Sequence, residues 1–472
     1  MALDTRPILM DTCRVTTADD ALSDVSPAQP LPPGPALPAA WQGIALALRP
    51  ADFLERCALR YGECFTLKIP GFPKQVVFTH PDAVRDIFGA DPDDARAGRA
   101  NKVLEPLLGR HSLLLLDGER HLRERRMMLP PFHGERMKAY FDAIAALTDR
   151  AIDSWPIGKP FPIHGEMQRI TLDVILRAVF GVDEDEADFG ELRALLVRLV
   201  SSITNPLLLF PPLQKDLGGW WPWSRFIRLR RRVHDRLLEH ITRRRADAEN
   251  RPDVLSMLIM ARDEEGGQLR DDELHDQMLT LLLAGHETTA TGLAWAVHRI
   301  LADDEIRDAI LKELRSVVGD GPLDPTHLAE LRFLDAATKE TLRLHAVVPD
   351  VGRALERPAR IGDRDLPAGV MAVPSIYLVH RRPDVWPDPE RFDPRRFLDA
   401  RPTAYEFLPF GGGTRRCLGM AFTLYEMKIV LAEILLRLSV HVVDRKVPRV
   451  TRRAVTFAPR GGVPVVIEAR RS

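Results

Sequence analysis

Cysteine is scarce, with four residues (Cys13, Cys57, Cys64 and Cys417) in a chain of 472. That excludes a disulfide framework, and a reducing, cytoplasmic setting is expected. No His or Cys near Cys57 and Cys64 completes a zinc pattern, so these two are read as core thiols. Cys13 lies in a polar N-terminal stretch. Charge of one sign is lacking too: 66 basic and 67 acidic side chains leave a net charge of −1. Nucleic-acid binding favours a basic excess, and none is present. Long uninterrupted apolar runs are also missing. Acids and a base break up the first residues, so neither a signal peptide nor a transmembrane anchor is expected. The most apolar later stretch, 278–297, contains His286 and Glu287, which suits a buried functional helix better than a lipid-facing one. No internal repeat is present, and nothing marks a symmetric interface, so the expectation is a monomer.

What is there is a large apolar fraction, 45% of residues, with 28% charged. Such a chain can bury a sizeable core. Residues 1–34 form a polar tail and a proline-rich lead-in (Pro30, Pro32, Pro33 and Pro35), and 35–472 form one domain. Strand-like runs are few: 65–69, 75–79, 370–376 and 463–467. Helical periodicity dominates elsewhere, at 137–154, 168–180, 224–249, 272–302, 304–318, 333–345 and 420–438. The fold class predicted is mainly α with a minor β-sheet region built from distant segments. The 272–302 helix would be about 45 Å long, with Asp271 or Asp272 as its cap.

The strongest local signal is Phe410-Gly411-Gly412-Gly413-Thr414-Arg415-Arg416-Cys417-Leu418-Gly419. The glycines let the backbone bend tightly and approach a flat object closely. Cys417 stands just before a long helix, whose N-terminal amides favour a thiolate. Arg415 adds a cation nearby. A thiolate in such a loop suits a metal ligand. The pattern FxxGxRxCxG arises by chance in such a chain with a probability on the order of 10⁻⁴, so a buried bystander cysteine is a poor account of it.

On this loop the sequence resembles the cytochrome P450 family, in which a cysteine thiolate ligates haem iron. The resemblance spans about 37–467. It implies the P450 fold, a triangular-prism-like domain with haem b between the long central helix and the cysteine-loop helix. It implies Cys417 as the axial iron ligand, Phe410 shielding its sulfur, Gly413 and Gly419 shaping the loop, and Arg415 pairing with a haem propionate. Glu340 and Arg343 share a helix face at i, i+3. Glu166 and Arg169 have the same spacing, but only Glu340–Arg343 precedes Pro389-Glu390-Arg391-Phe392 and the cysteine loop in the family's order. The resemblance makes Glu340, Arg343 and Arg391 a buried structural network. It places His121, Arg125 and Arg353 at the propionates.

Ala284-Gly285-His286-Glu287-Thr288-Thr289 lies inside the long helix. A glycine followed by a threonine pair can open a helix locally. By resemblance, Thr288 and Glu287 are the catalytic pair: Glu287 relays protons from solvent and Thr288 hands them to bound O2. His286 is read as a neighbour. The activity implied is that of a monooxygenase inserting one oxygen atom of O2 into a lipophilic small molecule. The apolar stretches 205–213 and 220–223 favour a fatty acid or a terpenoid. Leu113, Ala284, Val348, Val351 and Val455 are candidate pocket walls, and Arg99, Lys102 or Arg110 could hold a substrate carboxylate. The stretch after Cys417 is too short for a flavin reductase domain, so electrons are expected from a ferredoxin or flavodoxin with its reductase. Arg123, Arg126, Arg415, Arg416 and Lys428 could form the docking patch. Two other readings stay open: a peroxide-driven peroxygenase or an isomerase on the same fold, and a non-enzymatic haem sensor.

Overall fold

A computed structural model describes residues 30–182, 189–203, 214–399 and 401–471. Its longest element is the helix Asp271–Ala302, 32 residues, about 48 Å at 1.5 Å per residue. Asp271, Asp272 and Glu273 fill its first turn, where the helix dipole favours negative charge. The cap falls one residue earlier than predicted, at Arg270. Its backbone N–H donates to the Glu273 carboxylate at 3.0 Å, half of a capping box.

Apolar residues run all round this helix, so it is buried along most of its length. Helix Ile163–Val174 lies against it and continues into a π turn, Ile175–Val179. Gly285 permits that approach: a Cβ there would stand 3.1 Å from Ile175 Cδ1. The predicted opening of the helix at Gly285 does not occur, and the helix is continuous from Asp271 to Ala302. Gly285 serves packing instead, and Thr288 returns its hydroxyl to the Ala284 carbonyl at 2.5 Å. The helix Met420–Arg437 crosses the central helix closely, with Met427 Cε only 3.3 Å from where a Cβ on Gly292 would be.

The main sheet gathers distant segments in the order Cys64–Leu67, Gln75–Phe78, Met371–Pro374, Arg353–Leu355, Ala95–Arg96. Gln75–Phe78 and Met371–Pro374 pair in parallel, and the other pairs are antiparallel. The strand predicted at 370–376 stops at Pro374 because Ser375 caps the short helix Ile376–Val379. Near the C-terminus, Pro464–Arg470 pairs with Leu438–Val442 and with Phe161–Pro162. An unpredicted hairpin, Val450–Arg453 with Thr456–Pro459, lies beside the central helix. Trp295 Nε1 donates to the Phe457 carbonyl at 2.9 Å and fixes the hairpin there. Its arginines hid the strand pattern.

The predicted helix 137–154 begins at Phe141, after a 3₁₀ stretch Gly134–Tyr140. One core fills the space between the helices, and a second lies between the sheet and helix Pro50–Tyr61. Among the described residues, no helix is long and apolar enough to cross a membrane. Cys13 and the apolar stretch 205–213 lie outside the described residues.

Candidate active site

The cysteine loop is closed by its own backbone. The Cys417 amide donates to the Phe410 carbonyl at 2.9 Å, and Gly411 N–H donates to Leu408 O at 3.0 Å. Gly412 and Gly413 press on helix Pro81–Gly89. A Cβ on Gly412 would fall 2.4 Å from the Phe88 ring, and Gly413 adopts φ +65° against the Phe88 carbonyl. Gly419 caps the helix Met420–Arg437. Cys417 has accessible surface, yet protein crowds around it. A side chain that is both accessible and crowded faces an internal opening. Burial pushes its thiol up, and the Gly419 amide, Arg125 and Arg416 pull the other way. The nearby cation is therefore not Arg415, whose guanidinium turns to the carbonyls of Leu113 and Leu116 and pairs with Asp117 at 2.5 Å.

His121, Arg125, Arg353 and Arg415 converge. His121 and Arg125 come from helix Gly118–Met128, and Arg353 opens a strand of the main sheet. Burial, then Arg415, Arg125 and Arg353, push the His121 imidazole down to about 3. Burial lowers Arg353 and Arg415 to about 10 each, with Asp117 opposing in both. Arg125 is lowered by burial and donates to the Arg416 carbonyl at 2.6 Å. Arg353 lies over the Phe88 ring, 5.4 Å from its centroid. Three guanidiniums and a neutral histidine thus gather here, and the acid acting on them is Asp117, paired with Arg415 and also felt by Arg353. That imbalance fits a group carrying two further carboxylates, and the accessible sulfur fits its metal. The residues present therefore suit a haem.

Helix Arg332–Leu344 supplies the network below the loop. Glu340 and Arg343 are both fully buried. Arg343 donates to Glu340 at 2.7 and 2.8 Å and to His380 O at 2.7 Å. Glu340 also accepts from Asp393 N at 3.0 Å. The predicted third member, Arg391, needs correction. Its side chain is exposed, and it joins only through its carbonyl, 3.3 Å from Arg343. Arg396 is the second guanidinium, 3.4 Å from Glu340, because the turn after Arg391 carries that residue inward. By contrast, Glu166–Arg169 is a partly exposed surface pair. His380 links the network onward, accepting from Leu408 N at 3.0 Å just before the cysteine loop.

On the central helix, Ala284 is accessible while Leu282, His286 and Ala290 are buried. Thr288 is on the same face, one turn on. Glu287 turns away from it. Its Oε2 accepts from Gln168 at 2.6 Å, and its Oε1 lies 3.3 Å from Arg453 and 4.0 Å from His164 Nε2. Burial pushes the Glu287 carboxyl up, opposed by Arg453 and Gln168. His286 is buried and bonds the Thr171 hydroxyl at 3.0 Å.

Of the suggested pocket walls, Val455 is exposed at the hairpin tip, and Val348 and Val351 are half-buried. Leu113 is buried, with its N–H on Gln277 and its carbonyl on Arg415. Arg99 is engaged by Glu356, whereas Lys102 and Arg110 line a separate cleft of about 480 Å³ with Arg230 and His234. The suggested basic docking patch is largely neutralised within the chain: Arg123 pairs with Asp263, Arg126 with Glu264, and Lys428 with Asp335. Asp117, Arg396 and Arg453 carried no sequence signal, since each acts through a tertiary contact with a residue far along the chain.

Comparisons with known proteins agree with this geometry. The family model described as Cytochrome P450 matches residues 31–463. The cytochrome P450 135B1 proteins of Mycobacterium bovis and Mycobacterium tuberculosis are 40% identical over 454 residues, covering 93% of this chain and 92% of theirs. Cytochrome P450 138 of Mycobacterium tuberculosis is 35% identical over 458 residues, covering 95% of this chain and 100% of its own. The solved structure of a cyanobacterial CYP120A1 with retinoic acid bound has a similar fold, with a TM-score of 0.82 at 24% identity, covering 93% of this chain and 99% of that one. The haem domain of cytochrome P450DA gives a TM-score of 0.83 at 23% identity, covering 94% of this chain and 98% of its own. A thiol opening inward at the end of a glycine loop, a surplus of buried cations beside it and these relatives lead to one statement: the chain belongs to the cytochrome P450 family, haem-thiolate monooxygenases that use O2 and redox partners.

Proposed function

We propose that this monooxygenase holds haem b through Cys417 and oxidises a lipophilic small molecule, a fatty acid or terpenoid, with electrons from a separate ferredoxin or flavodoxin. The observation that carries the assignment is the accessible Cys417 thiol in a crowded interior, near three guanidiniums and the neutral His121, with Asp117 as the acid among them. Bound there, haem would supply the power to activate O2. The protein's part is binding, orientation and proton traffic. His121, Arg125, Arg353 and Arg415 would take the propionates, and Asp117 would keep Arg415 aimed. The Gly419 amide, Arg125 and Arg416 favour the thiolate against the effect of burial. Glu340, Arg343 and Arg396 hold the segment leading to the loop. Thr288 offers a hydroxyl on the accessible face of the central helix, and Glu287, which here faces Gln168 and Arg453, swings toward it to carry protons from the Arg453 side. The free thiols of Cys57 and Cys64 agree with a reducing, cytoplasmic setting.

The test is the absorption spectrum of the reduced protein with carbon monoxide, for wild type and Cys417→Ala. The long-wavelength Soret band of a thiolate complex is expected in wild type and lost in the variant. A shorter-wavelength band in fresh wild type would refute Cys417 as the ligand. Turnover with hydrogen peroxide, but not with NAD(P)H and ferredoxin, would replace the monooxygenase by a peroxygenase.

A further inference from the structure

The hairpin beside the central helix does more than close the fold. It is fixed one residue pair from its turn, where Phe457, opposite Arg452, donates its N–H to Val347 O at 2.8 Å and accepts from Trp295 at its carbonyl. The Arg453 side chain reaches from there to Glu287, eight residues before Trp295 on the central helix or about 12 Å along the axis. Its turn is tight, with Ala454 at φ +51° and Val455 exposed at the tip. Two successive arginines leave the strand just before that turn. Arg453 meets Glu287 at 3.3 Å. Arg452 donates to the Ala454 carbonyl, and its charge is felt by Asp350, two residues past Val348.

Glu287 is boxed in by three elements. Helix Ile163–Val174 supplies Gln168 and His164, the central helix supplies His286, and the hairpin supplies Arg453. Burial, together with Arg453, holds both histidines down to about 4, so they are neutral at neutral pH. Arg453 is then the cation facing Glu287 among the described residues. Glu287 Oε1 is buried and makes no hydrogen bond, so that oxygen rests on Arg453 by charge alone. Arg453 itself is about one-third exposed and reaches solvent.

We propose that Arg453, at the end of the hairpin strand, is a positioning residue that holds the Glu287 carboxylate in place for proton delivery. This rests on the reading of Glu287 as relay.

The test is an infrared titration of the Glu287 carboxyl stretch in the haem-loaded protein, assigned by its loss in Glu287→Gln. In Arg453→Gln the titration is expected at higher pH, because a cation favouring the ionised form is gone. Arg453→Lys is expected to bring it back. An unmoved titration in Arg453→Gln would overturn the role of Arg453. Glu287→Gln with unchanged use of electrons for product would instead sink the relay reading and leave the hold of Arg453 on that carboxylate standing.

Discussion

Removing the Arg343 guanidinium should break the most deeply buried ion pair among the described residues. In Arg343→Met the stem volume is roughly kept, and four hydrogen bonds are lost: two to Glu340, one to His380 O and one to Arg391 O. Glu340 then stays fully buried with only Asp393 N at 3.0 Å and Arg396 at 3.4 Å. An uncompensated buried charge costs about 3–5 kcal/mol. Arg396 offsets part of that, so about 3 kcal/mol is expected, a large share of a typical stability of about 5–15 kcal/mol. Glu340→Leu should cost a similar amount, because it strands a buried cation. The double variant removes both charges and leaves neutral groups unpaired, at about 1–3 kcal/mol each. It should therefore cost less than the sum of the singles by at least about 0.5–3 kcal/mol. Urea denaturation followed by circular dichroism measures all four proteins. Arg169→Met is the control, since its pair with Glu166 has the same spacing but is partly exposed, and should lose no more than about 1 kcal/mol through that pair. Additive singles, or an Arg343→Met variant within about 1 kcal/mol of wild type, would refute the reasoning.

Glu426 is fully buried with Oε1 unpaired, and burial pushes its carboxyl up to about 8. In the unfolded chain it titrates near about 4.3. Its folded form is thus favoured below that value, and stability is lost as pH rises from about 4.3 to about 8. Glu426→Gln should therefore gain stability over wild type across that window, on the order of a few kcal/mol at its upper end, measured by urea denaturation at several pH values. Gly109 has φ +82°, and a Cβ there would fall 2.0 Å from Asp276 Oδ1. Gly109→Ala should lower thermal stability by about 1–3 kcal/mol, and an unchanged melting curve would show that the Asp276 side chain simply moves aside. Asp117→Asn removes the one acid among the propionate-side cations, so it should weaken the haem-free protein more than the haem-loaded one. Equal losses in thermal scans of the two forms would count against that cluster as the propionate site.

Most of the helices were legible because their apolar periodicity and caps agree. Asp304–Val318 ends where it was predicted, with Asp303 as its cap and Gly319 after it. The cysteine loop was legible because glycines, arginine and cysteine each have a separate reason to be there. Contacts between distant segments were not. Arg391 and Arg396 look alike in sequence, and only the turn between them decides which guanidinium reaches Glu340. Gly285 looked like a weak point in a helix, but its partner Ile175 lies on another helix, so the packing role was invisible along the chain. Arg452 and Arg453 carried no signal along the chain, yet Arg453 reaches the Glu287 carboxylate and Arg452 acts on Asp350. Arg123 and Arg126 of the supposed docking patch read as free because their acidic partners sit in the distant Asp263–Glu264 turn.

The crowd of positive groups around Asp117 has a consequence for how the protein matures. Like charges gathered in a dry pocket repel one another, so before haem arrives this corner pushes itself apart. Propionates held there would act as its missing counter-ions, so loading the cofactor would draw this corner closed. A cell that makes the chain faster than it makes haem would accumulate molecules that open first at this corner, ready for proteases or for aggregation.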